Sequence, residues 1–166
     1  GGSRVVTLSS VAARGGSIDF DDLQASHKAY DSMAAYSQSK LACLMFALEL
    51  QRRSTAQGWG VASLGPHPGL SSTELLDNAP GAARRVPLDY RIVRAVMMQP
   101  PSQGALPTLY AATDPGATPG GYYGPNGMAE TRGHPGEARL PPAALDDAAA
   151  ARLWTVSEDL TGVRFS

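Results

Sequence analysis

Apolar positions along the chain fall first into a short run and then into a helical repeat. Residues 4–9 (RVVTLS) form a β-branched apolar stretch that closes on serines, which predicts a buried strand. Residues 11–32 hold no sustained period and predict a long connection with short helical turns. From Asp31 or Ser32, each a suitable N-cap, Leu41, Leu44, Met45 and Leu48 recur at i, i+3, i+4 and i+7, one apolar face of a helix. That helix is expected to end at Arg52 and Arg53, before Gly58 and Gly60 break the pattern and residues 61–64 start a second strand. Strand, helix, strand in this order is a βαβ unit, so the expected class is α/β with a parallel sheet.

The stretch GPHPGLSST after Leu64 reads as a turn-rich loop at the carboxyl end of the second strand, where open α/β sheets place their ligands. Residues 74–101 alternate helical patches with Pro80, Gly81, Pro87, Pro100 and Pro101, and predict a mobile flap carrying Leu75, Leu76, Val86, Tyr90, Met97 and Met98. Residues 102–113 predict a helix with Pro107 in its first turn or at a kink. Residues 120–123 suit a third short strand, 124–142 a loop, and 143–160 a last helix that stops at Gly162. No repeat divides the chain, and residues 1–166 read as one domain.

Composition narrows the function. Fourteen Lys and Arg against fifteen Asp and Glu give a net charge of -1, which excludes a broad basic field for nucleic acid. The lone Cys43 permits no internal disulfide and no paired-cysteine zinc site, so a reducing, cytoplasmic location is expected. No run is long enough for a membrane span, and the opening residues lack the pattern of a signal peptide. The start at Gly1-Gly2-Ser3, directly before a strand, reads as a chain cut inside a fold.

Lys28 and Lys40 are the only lysines beside twelve arginines. Lys40 lies one helical turn from Tyr36, and an ammonium so placed stabilises a phenolate, which suits the phenol to acid or base work. The bland alternative is a half-buried tyrosine beside a solvated lysine, and three further features, in order, weigh against it. They are a serine at the end of the preceding strand, in Leu8-Ser9-Ser10, then Ser39 immediately before Lys40 in the YxxxK stretch Tyr36-Ser37-Gln38-Ser39-Lys40, then Pro68-Gly69-Leu70-Ser71-Ser72-Thr73, which fits PGxxxT after the following strand. On these motifs the chain resembles the C-terminal half of the short-chain dehydrogenase/reductase family. The IDFDDLQ insertion and the HPG form of the loop resemble its retinol-dehydrogenase-like branch.

The resemblance implies the C-terminal portion of a Rossmann-type doubly wound parallel sheet and a hydride exchange between NAD or NADP and a small-molecule alcohol or carbonyl substrate. Tyr36 would be the proton donor or acceptor. Lys40 would assist it and hold the nicotinamide ribose, and Ser10, rather than Ser9, would bond the substrate oxygen. Pro68, Gly69 and Ser71 would line the nicotinamide, with Thr73 reaching its carboxamide or the pyrophosphate. A homo-oligomer is expected of the intact protein. The family's glycine-rich TGxxxGxG turn has no counterpart among these residues, and the acidic or basic residue that separates NAD from NADP is expected upstream, so the sequence does not distinguish the two. Two rival readings follow: a truncated, inactive or partner-binding chain, and an epimerase or dehydratase acting on a nucleotide sugar.

Other residues are expected to be structural. His67 reads as a loop histidine without a partner at ligand spacing, Asp21 and Asp22 as members of a solvated loop, and Cys43 as a small core residue. Tyr122 and Tyr123 are expected at the sheet edge and Trp154 as the anchor of the last helix. No GxSxG elbow supports a serine hydrolase.

Overall fold

In a computed structural model, residues 2–71 and 98–165 are described. Four strands, β1 (Arg4–Val6), β2 (Ala62–Pro66), β3 (Tyr122–Gly127) and β4 (Arg132–Glu137), form one sheet in the order β1-β2-β3-β4. β1 and β2 pair in parallel, as do β2 and β3, whereas β4 returns antiparallel to β3. The expected α/β sheet is therefore present, but residues 124–142 are not a loop. Most of them complete β3 and supply β4, whose Pro- and Gly-rich composition hid a hairpin with an irregular register at residues 125–127.

The long helix α1 (Ser32–Gln57) joins β1 to β2. Asp31 caps it by accepting from the Met33 and Ala34 amides at 2.9 Å. It passes Arg53 by a turn and ends at Gly58 in a left-handed cap, and Glu49, buried inside it, accepts from both Arg52 and Arg53. Side-chain hydrogen bonds pin α1 to the sheet, among them the Ser63 amide of β2 donating to Gln51 Oε1 at 2.8 Å. Ser9 Oγ donates to the Lys40 carbonyl at 2.8 Å near one end, and Ser54 Oγ donates to the Val61 carbonyl at 2.6 Å near the other.

Pro101–Gly104 forms the single turn α2, and Leu106–Thr113 forms α3, with Pro107 in its first turn, where its missing amide costs nothing. The last helix splits at Asp146. A 3-10 turn, Pro142–Leu145, precedes α4 (Asp147–Thr161), whose N-cap is Asp146 and whose C-cap is Gly162.

Helices cover both faces. Leu41, Leu44 and Met45 of α1 pack with Ala150 of α4 and Tyr122 on one face. On the other, Leu64 and Tyr123 pack with Ala111 of α3. Tyr122 and Tyr123 are thus not at the sheet edge: they are neighbours in an inner strand, and the pleat sends one into each core. Trp154 is the expected anchor, stacked on Phe46 with centroids 5.3 Å apart and beneath the Arg53 guanidinium. No helix of the described residues is long and apolar enough to cross a membrane.

Trp154→Ala removes this stack and leaves a cavity between α1 and α4. Urea unfolding should show a loss of about 3 kcal/mol, with α/β circular dichroism retained in the folded state.

Candidate active site

β1 and β2 run in parallel, so the residues that follow them emerge at the same end of the sheet. The ladder continues briefly past β1, with the Thr7 and Ser9 amides donating to the Leu64 and Pro66 carbonyls at 2.9 and 2.8 Å. This puts Ser9 and Ser10 beside the start of the loop that holds Pro68 and Gly69. α1 is pinned here at Lys40 by Ser9, so its first three turns, with Tyr36 and Lys40, stand over the same end.

A cavity of about 530 Å³ opens there, and Ser10, Tyr36, Pro68, Gly69 and Ser71 all line it. Its remaining wall is mostly apolar, with Leu8, Met33, Leu70 and Leu109 among its members. Lys40 is not part of the wall. Its ammonium lies 5.9 Å from the Tyr36 ring centroid and donates to the Leu8 carbonyl at 3.4 Å. Thr73 lies outside the described residues, as does nearly all of the expected flap.

The polar groups have capacity to spare. Ser10 caps the 3-10 turn Val11–Gly15, its Oγ accepting from the Ala12 amide at 3.2 Å, which leaves the hydroxyl hydrogen free to donate. The Tyr36 hydroxyl has no hydrogen-bond partner among the described residues, and the Lys40 ammonium uses one of its three donors. Tyr122 is the phenol that cannot serve here, since burial pushes it up to about 12. Ser10, Tyr36 and Lys40 therefore suit a polar ligand with hydroxyl or carbonyl oxygens, such as a nicotinamide ribose and the oxygen of an alcohol or carbonyl compound. The 166 residues contain no TGxxxGxG motif of the kind that cradles a pyrophosphate.

The Pro-Gly loop is held from behind by groups with no visible sequence signal. Gly69 has φ +66, and a Cβ there would strike the Thr131 carbonyl, so only glycine fits. Gln99, itself buried, donates to the Pro68 carbonyl at 2.8 Å and accepts from the Gly133 amide at 3.2 Å. His67 is fully buried rather than a free loop residue. Its Nδ1 accepts from the Gly69 amide at 3.2 Å and its Nε2 lies 3.2 Å from Glu130, which pairs with Arg14. Gly124 lets the ring in, because a Cβ there would overlap Nε2.

Asp22 also departs from expectation. It is buried, not solvated, and its carboxylate accepts from the Ser26, His27 and Lys28 amides, which hold it below the usual carboxylate range. Asp21 is exposed, as expected. No cluster of His, Cys, Asp and Glu among the described residues could hold a metal ion.

A doubly covered, mainly parallel sheet, with Ser10, Tyr36 and Lys40 at its carboxyl ends, is part of a Rossmann-type fold. Over 97% of its length the chain is similar to proteins of the short-chain dehydrogenase/reductase family. It is 39% identical to dehydrogenase/reductase SDR family member 13 of Bos taurus, 36% to retinol dehydrogenase 13 of Mus musculus and 37% to polyprenol dehydrogenase of Mus musculus. Each match covers 97% of this chain but only 40%, 46% and 45% of the relative, so the chain spans less than half the length of these proteins. No family model matches it. A crystal structure of an uncharacterized protein from Mycobacterium paratuberculosis superposes with a TM-score of 0.73 at 36% identity, over 99% of this chain and 52% of that one.

Burial holds His67 below its ordinary value of 6.5, against the opposing pull of Glu130 and alongside the repulsion of Arg14, while the Tyr122 ring covers its flank at 5.1 Å. The unfolded chain takes up a proton near 6.5 and the folded one does not. The stability from neutral His67 is therefore complete above that pH and is lost as pH falls below it towards the folded value. Denaturation midpoints between pH 7.5 and 5 should decline in the native chain, with a smaller decline in His67→Asn.

Proposed function

We propose that the chain carries the catalytic residues of an NAD(P)-dependent oxidoreductase acting on an apolar alcohol or its carbonyl counterpart. The observation that carries this reading is the convergence of Ser10, Tyr36, Pro68 and Gly69 on one cavity, with the Lys40 ammonium one turn behind the phenol. The apolar wall supports an apolar substrate, and the relatives named for retinol and polyprenol support the same class.

In the oxidising direction the Ser10 hydroxyl donates to the substrate oxygen and fixes its position. Tyr36 takes the hydroxyl proton of the alcohol, and in the reducing direction returns it to the carbonyl oxygen. Lys40 holds its charge beside the phenol and has two donors left for ribose hydroxyls. The loop at Pro68, Gly69 and Ser71 forms the wall that keeps the reacting face aligned. A bound nicotinamide nucleotide supplies the hydride acceptor or donor.

A second reading, a partner-binding chain without activity, draws on the open side of β1. Among the described residues that strand pairs only with β2, and Val5 and Leu8 are 37% and 45% exposed. Fluorescence titration with NADH and NADPH separates the two. Our reading predicts saturable binding, weakened about tenfold by Lys40→Ala through loss of a charge-assisted hydrogen bond. Tyr36→Phe should keep that affinity and lower turnover of an apolar alcohol by at least about 100-fold. A folded chain that binds neither nucleotide supports the partner-binding reading.

A further inference from the structure

The polar group that departs most from its sequence-based expectation is His67. It carries no role in the proton transfer and does not line the cavity, yet it is fully buried with both ring nitrogens engaged. The Gly69 amide can only donate, so Nδ1 must accept and the proton of the neutral ring sits on Nε2. That proton points at Glu130, a carboxylate that can only accept. The two contacts are consistent with one tautomer alone.

Glu130 is placed at some cost. Met128, Ala129 and Glu130 all have positive φ, at 33°, 54° and 61°, a conformation unfavourable for residues with a Cβ. Thr131 stabilises the turn by donating from both its amide and its hydroxyl to the Met128 carbonyl. Arg14 completes the arrangement, bridging to Glu130 and donating to the Ala129 carbonyl at 3.1 Å. Arg14 belongs to the 3-10 turn that Ser10 caps. The chain of contacts thus runs from the Ser10 turn through Arg14, Glu130 and His67 to Gly69, behind the cavity and from one wall to the other.

We infer that His67 is a positioning residue for the nicotinamide-facing loop: its Nε2-protonated tautomer, selected by Glu130, holds the Gly69 amide and ties the loop to the turn that presents Ser10. The inference rests on the oxidoreductase reading above. Without an acceptor at Nδ1, the Gly69 amide is a buried donor with no partner, and the cheapest relief is for the Pro68–Gly69 backbone to turn towards the cavity. The wall against which the nucleotide packs is then displaced, while the sheet beneath it stays intact.

The test is NADH and NADPH titration of the chain and its variants, with a thermal melt of each. His67→Leu removes the acceptor and should weaken nucleotide binding about tenfold or more, the range expected for an orphaned buried amide. His67→Asn sets an amide oxygen where Nδ1 stood and should bind within about threefold of the native chain, because the Gly69 bond survives without the link to Glu130. Both variants lose the imidazole packing, so both should melt lower. A purely structural histidine would make affinity follow the melting temperature, whereas positioning makes Asn rescue affinity and not stability. Should His67→Leu fail to fold, Glu130→Ala serves in its place: it frees the tautomer and should weaken binding by a few-fold, with Gly69 amide exchange quickened. Native-like affinity in folded His67→Leu, or equal affinities in the Leu and Asn variants, would overturn the inference. A native chain that binds and responds to Lys40→Ala but not to His67→Leu overturns this inference alone. A native chain that binds neither nucleotide overturns the reading beneath it and this inference with it.

Discussion

Parallel pairing of β1 with β2, in the register Arg4↔Ala62 to Val6↔Leu64, brings the carboxyl ends of both strands to one end of the sheet, and every candidate group follows from that. The connection between two parallel strands must cross back over the sheet, and α1 is that crossover. Its start therefore lies where β1 ends. The Ser9 hydroxyl on the Lys40 carbonyl fixes the helix along its axis, so Tyr36 meets Ser10 at the cavity and Lys40 sits behind it. Were this pairing antiparallel, a tight turn would replace α1 and the tyrosine, lysine and Pro-Gly loop would have no common end to share.

A second constraint is electrostatic. Behind the cavity the chain buries Ser9, His67 and Gln99, and each has at least one hydrogen-bond partner in a distant part of the sequence. Such groups are costly when unpaired and restrictive when paired, because each accepts few geometries. They replace the packing that apolar side chains would give and specify the shape of the Pro-Gly loop to within a hydrogen bond. The apolar clusters on either side of the sheet supply stability, while this polar layer supplies position.

How far the sequence could be read follows from the range of the interactions. The helical repeat of Leu41, Leu44, Met45 and Leu48, the Asp31 cap and the βαβ order are local signals, and α1 and the parallel pair follow them. YxxxK is local too, since one helical turn sets it. The hairpin of β3 and β4 is not: Gly124, Pro125, Pro135 and Gly136 are poor strand formers, paired because β2 and the Tyr122 and Tyr123 side chains offer a template. His67 was invisible for a similar reason, its acidic partner lying 63 residues on, in a turn whose positive φ values have no glycine to announce them. Asp22 shows a shorter-range version, an aspartate whose neighbours suggested solvent but whose carboxylate gathers three amides of the following turn.

The central claim is that one nucleotide-binding wall is built jointly by the turn after β1 and the loop after β2. Hydrogen–deuterium exchange of the chain with and without saturating NADPH or NADH tests it most directly. Slowed exchange is expected in residues 8–12 and 67–71 together, with β4 and α4 unchanged. Protection absent from both segments, or confined to α4 and the outer face of α1, would contradict it.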